Sequence, residues 1–308
     1  ALAALDGRPA RPDEILAGLR ARTRPRLPRG VRAVTPGPGT ERWVAGPAVA
    51  RAVTQAVDRI RHRMTVHHAW GLTVGRPGGT GVRMLLAGPP GTGKTLTAEV
   101  TAARLGVDLL VVDLAQIVSK WLGETEKNLA GVFTAAERSQ SVLLFDEADA
   151  LFARRTDVND AHDRYANLET AYLLHRLEQF DGLTVLTTNL RSQIDPAFIR
   201  RLDIVVDLPE PDPAQRRELW SRHLPAGAPR AADVDLAELA DRYPLPGGLI
   251  RNAATTAAFA AAAARAPIDR RGLIDAIEQE SVKAGRAFPG RPADLARSTR
   301  SGADSPPP

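Results

Sequence analysis

Short apolar runs alternate along the chain with longer stretches of helical periodicity, and this alternation limits the fold more than any other feature. Five runs have the length and composition of buried strands, at residues 82–87, 109–114, 142–145, 183–188 and 204–208. Helical patterns lie between or after them, near residues 94–105, 125–139, 163–180 and 195–200. Strands that alternate with helices form parallel sheets covered on both faces. We therefore expect an α/β fold with a five-stranded parallel sheet flanked by helices.

The regions outside this alternation divide the chain further. Residues 21–40 contain four prolines and little apolar periodicity, which predicts an extended or irregular arm. After about residue 212 the strand pattern stops, and four helical patterns follow near residues 213–223, 234–242, 247–264 and 270–285. The predicted parts are a basic, partly disordered arm, a large α/β domain, a small all-α domain and a disordered tail, at residues 1–45, 46–210, 211–286 and 287–308.

The composition excludes several kinds of site and structure. The 308 residues contain no cysteine, which excludes disulfide frameworks, cysteine-ligated metal centres and a cysteine nucleophile. No apolar stretch approaches the ~20 residues that a membrane-spanning helix needs, and no signal-peptide pattern opens the sequence. We therefore expect a cytoplasmic protein without a membrane partner.

The net charge of +5 originates in the first part of the chain. Residues 1–63 contain thirteen arginines and five acidic residues. A basic surface attracts nucleic acid. Because the basic excess lies mainly outside the α/β region, nucleic acid is not the expected partner, although the sequence leaves that partner open.

The most informative local motif is GPPGTGKT at residues 88–95, between an apolar run and a helical pattern. It fits the phosphate-loop pattern, in which glycines let backbone N–H groups face phosphate oxygens at a helix N-terminus. Lys94 is expected to reach the β- and γ-phosphates of ATP, and the Thr95 hydroxyl is expected to bind Mg²⁺. The predicted nucleotide-binding residues of this segment are Gly88, Pro89, Pro90, Gly91, Thr92, Gly93, Lys94, Thr95 and Leu96.

Polar residues follow two of the later apolar runs. Asp146 and Glu147 come directly after the run at 142–145, and Asn189 follows the run at 183–188. We expect Asp146 to hold Mg²⁺ and Glu147 to polarise a water that attacks the γ-phosphate. Asn189 is expected to orient that water and to sense the γ-phosphate. The glutamate at position 147 predicts ATP hydrolysis, not binding alone.

In combination, these motifs resemble those of the AAA+ ATPases, in particular the vesicle-fusing, katanin-like and spastin-like subgroup. The resemblance covers about residues 45–285. Residues 161–182 and 189–203 are similar to those of bacterial AAA ATPases found beside contractile injection systems. The resemblance implies a homo-oligomeric ring, usually a hexamer, with ATP at the subunit interfaces. It also implies that the small all-α domain is a lid on the nucleotide.

The same resemblance implies roles for residues outside the phosphate loop. An arginine finger from the neighbouring subunit stabilises transition-state charge in such rings, and Arg201 is the first choice for it, with Arg200 the second. The usual Pro-Gly between the two arginines is missing here. Gly247 matches the glycine turn that packs against adenine. Arg251 matches a sensor 2 arginine, and a surface salt bridge is its alternative role.

The residues Lys120, Trp121 and Leu122 resemble the first pore loop of these rings. Trp121 lies between a strand and a helix without an apolar period, and Gly123 indicates an exposed loop. A flat aromatic ring gives a sequence-tolerant contact for an extended polypeptide. The alternative is a tryptophan packed in the core. Residues 154–163 are a candidate second pore loop.

These features favour an ATP-hydrolysing AAA+ ring that remodels, unfolds or disassembles a protein substrate by threading it through a central pore. An adaptor would bind through the N-terminal arm. One alternative is a DNA- or RNA-acting AAA+ motor or loader, which the basic arm favours. Another is an ATP-binding assembly scaffold, against which Glu147, Asn189 and Arg201 argue.

Overall fold

The computed structural model describes residues 27–72, 79–117, 124–149, 171–191 and 194–293. The chain divides into two compact units, each described by itself. The first unit comprises Ala1–Trp43, Pro47–Gly88 and Lys94–Leu208, and it contains the sheet. The second comprises Val44–Gly46, Pro89–Gly93 and Pro209–Pro308, and it contains the last four helices.

The first unit is built on a six-stranded mixed sheet with the strand order β1-β3-β4-β5-β2-β6. All neighbouring strands are parallel except β1 and β3, which are antiparallel. Every residue of β3, β4 and β5 is buried, as continuous apolar runs covered on both faces require. The five predicted parallel strands are therefore confirmed. The strands are Val31–Val34 (β1), Val82–Ala87 (β2), Leu109–Val112 (β3), Val142–Phe145 (β4), Leu183–Thr188 (β5) and Ile204–Asp207 (β6).

Strand β1 lies where the sequence predicted an irregular arm, and that prediction is wrong for residues 31–34. Val31 pairs with Val112 and Val34 with Leu109, so β1 covers an edge of β3. The proline content dominated the sequence pattern, but four consecutive proline-free residues are enough to satisfy the backbone groups of an exposed strand edge. The outward-facing Arg32 keeps this edge strand charged.

Helices cover the sheet of the first unit. Phe133, on one of these helices, packs against Phe145 of β4 and Phe180, with ring centroids 6.1 and 5.5 Å apart. These aromatic contacts belong to one continuous apolar cluster between sheet and helices. The helices are Pro47–Met64 (α1), Lys94–Leu105 (α2), Leu114–Ile117 (α3), Glu124–Ser139 (α4) and Pro196–Ile199 (α5), and residues 171–179 are also helical.

The second unit contains four helices around its own apolar core. Trp220 and Tyr243 are its largest fully buried side chains. A capping box between Asp212 and Gln215 begins the first of these helices, with Asp212 Oδ1 accepting from Gln215 N at 2.8 Å. The helices are Pro213–His223 (α6), Leu236–Arg242 (α7), Gly247–Ala264 (α8) and Arg270–Lys283 (α9).

Residues 288–291 pack on this helical unit, so the prediction that disorder begins at residue 287 is wrong for them. The Phe288 ring stacks on Tyr243 with centroids 5.7 Å apart. Arg291 forms 2.6 Å ion pairs with Asp275 and Glu278 on α9. The polar, proline-rich composition of the tail concealed one aromatic ring and one arginine that have partners distant in sequence.

Within the described ranges, no helix combines the length and apolar character that crossing a membrane requires.

One ion pair in the helical unit couples stability to pH. Arg286 donates two hydrogen bonds to Glu210, at 2.6 and 3.0 Å. These bonds hold the pKa of Glu210 below its ordinary value of 4.5, although burial acts in the opposite direction. The ionised carboxylate therefore adds stability above the ordinary pKa, and this contribution is lost as the pH falls through the lowered native pKa.

We expect Glu210→Gln to lower the free energy of unfolding at neutral pH by up to about 1 kcal/mol, a small value because the pair is partly exposed. The difference from the wild type should shrink as the pH falls below 4.5. Urea denaturation over a pH series measures this. Glu218→Gln, which removes an exposed pair with Arg222, is the control. A difference that grows on acidification would contradict the assignment.

Candidate active site

Five of the predicted site residues meet at the carboxyl edge of the sheet in the first unit. β5 lies between β4 and β2, so the residues that follow these three strands are neighbours. Asp146 and Glu147 follow β4, Asn189 follows β5, and the segment after β2 leads to Lys94 and Thr95 at the start of α2. Parallel strands place their carboxyl ends together, which is why residues so distant in sequence share one location.

Lys94 is the most constrained charge in this group. Its side chain donates hydrogen bonds of 2.7 Å to the Gly88 carbonyl and 2.7 Å to Asn189 Oδ1. Burial lowers the pKa of the Lys94 ammonium below its ordinary value of 10.5, while the carboxylates Asp146, Asp149 and Glu147 act in the opposite direction. An anion bound beside the ammonium would offset its lost hydration.

Thr95 and Asp146 provide oxygen ligands side by side. The Thr95 hydroxyl donates to Asp146 Oδ2 at 3.0 Å. A hydroxyl and a single carboxylate fit Mg²⁺, which usually keeps several waters and takes further oxygens from substrate phosphates. Among the described residues, no group of three or more histidine, cysteine or acidic side chains could hold a metal ion.

Glu147 has a left-handed backbone conformation, with φ +54°. A non-glycine residue in this region stores strain, which is common at functional sites. The Thr187 hydroxyl accepts the Glu147 N–H at 2.9 Å and donates to Asp146 Oδ1 at 2.5 Å. Thr187 thereby holds the strained turn in place. Sequence analysis did not assign Thr187, although its position two residues before Asn189 was a usable signal.

Asp149 is a second residue that sequence analysis did not assign. Its carboxylate accepts hydrogen bonds from the Thr188 hydroxyl and from the Asn189 backbone N–H. The acidic run after β4 indicated that more than two carboxylates lie at this edge. It did not indicate that one of them binds the turn after β5.

Two glycines of the phosphate-loop motif are required by the backbone. A Cβ on Gly88 would lie 2.2 Å from the Leu208 carbonyl oxygen, and Gly93 has φ +92°. Leu96 lies in the first turn of α2 and is half-buried. These features fit a loop that brings its backbone close to an anion.

Residues Pro89–Gly93 belong to the second unit, where Gly91 contacts the start of α8. The Gly248 N–H donates to the Gly91 carbonyl at 3.0 Å, and Pro89 and Pro90 are exposed. Thr92 donates to the Pro89 carbonyl at 2.8 Å. A Cβ on Gly248 would lie 3.2 Å from Gly91 Cα, whereas a Cβ on Gly247 would meet its nearest atom, in the Leu219 side chain, at 3.4 Å. Gly248 thus permits the close approach of the loop.

Arg251 lies on the exposed surface of α8, and its guanidinium is 3.4 Å from Asn252 Oδ1. The contact with Asn252 does not place the Arg251 side chain against Pro89–Gly93, the part of the phosphate loop that belongs to the same unit. Its role as sensor 2 stays a prediction.

Arg200 and Arg201 lie at the opposite edge of the sheet from Lys94. They precede β6, which runs parallel to β2, whereas Lys94 follows β2. The six residues of β2 separate the two edges by roughly 20 Å. The arginines are therefore not part of the Lys94 group within one subunit.

Arg201 is held at that edge by an ion pair, with its Nε 2.8 Å from Glu178 Oε1. Asp203 is fixed more firmly, because Arg83 donates to its carboxylate from N at 2.9 Å and from Nε at 2.8 Å. Arg200 and Arg201 are both exposed. The contact between Asp203 and Arg83 anchors the segment that carries them to the start of β2.

A cleft of about 1680 Å³ opens at this edge, between α1, the start of β2 and the residues before β6. In the described part of the chain its charged lining is mostly cationic, with three acidic side chains. An excess of cationic side chains in a cleft attracts anionic groups. The arginines are Arg51, Arg59, Arg63, Arg83, Arg104, Arg200 and Arg201, and the acids are Asp58, Glu178 and Asp203.

The predicted pore residues lie outside the described residues. This applies to Lys120, Trp121 and Leu122, and to the second candidate loop at 154–163.

Comparisons with known proteins find matches to both parts of the chain. Residues 84–210 match the model of the ATPase family associated with various cellular activities (AAA). Residues 212–287 match the contractile injection system ATPase helical domain. The chain is 37% identical over 164 residues to a cell division cycle protein 48 homolog of Archaeoglobus fulgidus, covering 52% of the chain and 22% of that protein.

Two further relatives are similar over comparable regions. The 26S proteasome subunit RPT4 of Saccharomyces cerevisiae is 34% identical over 186 residues, covering 57% of the chain and 42% of that subunit. An uncharacterised AAA family ATPase, y4kL of Sinorhizobium fredii, is 39% identical over 132 residues, covering 43% of the chain and 40% of that protein. The chain spans less than half the length of each of these three relatives. It carries an AAA ATPase domain over residues 84–210, followed by a contractile injection system ATPase helical domain over residues 212–287.

Proposed function

We propose that this chain is the ATP-hydrolysing subunit of an AAA+ ring that remodels, unfolds or disassembles a protein by threading it through a central pore. The observation that carries the proposal is the meeting of Lys94, Asp146 and Asn189 at one edge of the sheet, where Lys94 Nζ is 2.7 Å from Asn189 Oδ1. A cation, a metal ligand and a water-orienting amide are the groups that phosphoryl transfer needs.

Each residue has a defined part in the proposed reaction. The loop at 88–95 binds the phosphates through its N–H groups and the Lys94 ammonium. Thr95 and Asp146 would hold Mg²⁺, and that ion would neutralise charge on the phosphates. Glu147 accepts the proton of the attacking water, and Asn189 orients that water. The products are ADP and inorganic phosphate.

The opposite placement of Arg200 and Arg201 supports a ring. An arginine that lies roughly 20 Å from Lys94 of its own subunit does not reach the phosphate bound there. It can stabilise transition-state charge only at the site of a neighbour. The cleft around Arg200 and Arg201 is lined mainly by cationic side chains, which supports binding of the phosphates held by a neighbouring subunit.

A protein substrate is favoured over a nucleic acid by the relatives and by Trp121. One relative is named as a subunit of the 26S proteasome. Trp121 resembles the aromatic residue that grips polypeptides in AAA+ rings. The match of residues 212–287 supports placing the chain among the ATPases of contractile injection systems.

Replacement of the proposed base tests the chemistry. We expect Glu147→Gln to bind ATP with an affinity close to that of the wild type and to lower kcat by about 10²- to 10⁴-fold, because the attacking water loses its base. Phosphate release and equilibrium ATP binding measure the two effects. Glu137→Gln, an exposed substitution on α4, is the control. Equal turnover in the wild type and Glu147→Gln would contradict the mechanism.

Subunit mixing tests the arginine finger. We expect Arg200→Ala/Arg201→Ala to lose about 10³-fold or more in kcat. A Lys94→Ala subunit has an empty phosphate loop but intact arginines. Mixing the two inactive variants should restore part of the ATPase activity, because each supplies what the other lacks. A mixture as inactive as its components would contradict action between subunits, and Arg222→Ala serves as the neutral control.

Replacement of Trp121 tests the pore. We expect Trp121→Ala to keep basal ATP hydrolysis and to lose stimulation by casein, an unstructured protein, whereas Trp121→Phe keeps part of it because the aromatic ring remains. ATPase rates with casein and with single-stranded DNA measure the preference. Stimulation by DNA and not by casein would replace the protein-remodelling proposal with the nucleic-acid alternative.

A further inference from the structure

Two adjacent threonines at the end of β5 bind two aspartates that follow β4. The Thr187 hydroxyl binds Asp146, and the Thr188 hydroxyl binds Asp149. Thr187 and Thr188 are both fully buried. The first pair holds the proposed metal ligand and the turn at Glu147. The second pair does not touch any group to which the proposed function gives a part in the chemistry except Asn189.

The second pair controls the turn that carries Asn189. The Asp149 carboxylate accepts the Asn189 N–H at 3.2 Å through Oδ1 and at 3.4 Å through Oδ2. The Thr188 hydroxyl, which donates to Asp149, also accepts the Leu190 N–H at 3.0 Å. Thr188 and Asn189 therefore bind the Asp149 carboxylate directly, and Leu190 is linked to it through the Thr188 hydroxyl.

The side chain of Asn189 is held separately. Its Oδ1 accepts from Lys94 Nζ at 2.7 Å, so its amide NH₂ group is the part left to donate toward a substrate oxygen. The direction of that donor depends on where the Asn189 backbone lies. A charged acceptor is suited to fixing it, because hydrogen bonds to an ionised group are stronger than neutral ones.

We propose that Asp149, acting with the Thr188 hydroxyl, is the positioning residue that makes Asn189 sensitive to the γ-phosphate. This inference rests on the proposed ATPase function. ADP has no γ-phosphate, and its binding depends on the loop at 88–95. Loss of the Asp149–Thr188 pair therefore reduces the advantage of ATP over ADP and the rate of hydrolysis, and it leaves ADP affinity nearly unchanged.

The test compares Thr188→Val, which removes the hydroxyl at nearly constant volume, with Thr188→Ser, which keeps it. Affinities for ATP and ADP are measured in the Glu147→Gln background, so that ATP stays intact. We expect Thr188→Val and Asp149→Ala to lower the ratio of ATP to ADP affinity by about tenfold or more. Thr188→Ser should stay within about threefold of the parent. ADP affinity should change by less than about threefold in the two Thr188 variants, which keep the charge of Asp149 beside Lys94.

Turnover in the otherwise wild-type chain gives the second readout. We expect kcat to fall and the KM for ATP to rise in Thr188→Val and Asp149→Ala, and both to recover in Thr188→Ser. Asp241→Asn on α7 is exposed and is the control for removing an aspartate. If Asp149→Ala fails to fold, the Thr188→Val and Thr188→Ser pair decides the question alone.

An unchanged ratio of ATP to ADP affinity in Thr188→Val would overturn the inference. If that unchanged ratio came from an equal loss of both affinities with a lowered thermal midpoint, the role of Thr188 would be purely structural. Absence of ATP hydrolysis in the wild type would instead overturn the proposed function, and the affinity ratio would still test the role of Asp149.

Discussion

The site depends on a buried ammonium, that of Lys94, held between a carbonyl oxygen and an amide oxygen. These neutral acceptors satisfy hydrogen bonds but do not neutralise the charge. Nearby carboxylates compensate for part of the lost hydration, yet the pKa of Lys94 still lies below its ordinary value. A phosphate bound beside Lys94 would offset more of the lost hydration of the ammonium, which favours an anion at this position.

The order of the strands brings Lys94, Asn189 and the acidic residues after β4 together. β5 has β4 on one side and β2 on the other, so its end touches both the acidic turn and the segment that leads to Lys94. Thr187 and Thr188 use this position by binding the acidic turn from within the sheet. Exchange of β4 and β5 in this order would separate the strand that carries Asn189 from the strand that leads to Lys94.

Whether the role of a residue could be predicted from the sequence depends on how far along the chain its partners lie. The phosphate loop, Asp146, Glu147 and Asn189 stand in local patterns, next to the strand or helix that positions them, and the sequence assigned all of them to one ATP site. Asp149 and Thr188 were not identified, because their role consists of a contact between residues 39 positions apart. Strand β1 and the docking of Phe288 were missed for the same reason.

Strand β2 connects the two functional edges of the first unit. At its start, Arg83 binds Asp203 through both backbone and side chain, and at its end the chain enters the loop before Lys94. Its interior is fully buried between β5 and β6. In a closed ring, each copy of β2 would set the distance between the nucleotide bound beside Lys94 of its own subunit and the neighbouring nucleotide that Arg200 and Arg201 would reach. The spacing of reaction centres around such a ring would then be set by one six-residue segment, and insertions there would disturb every subunit interface at once.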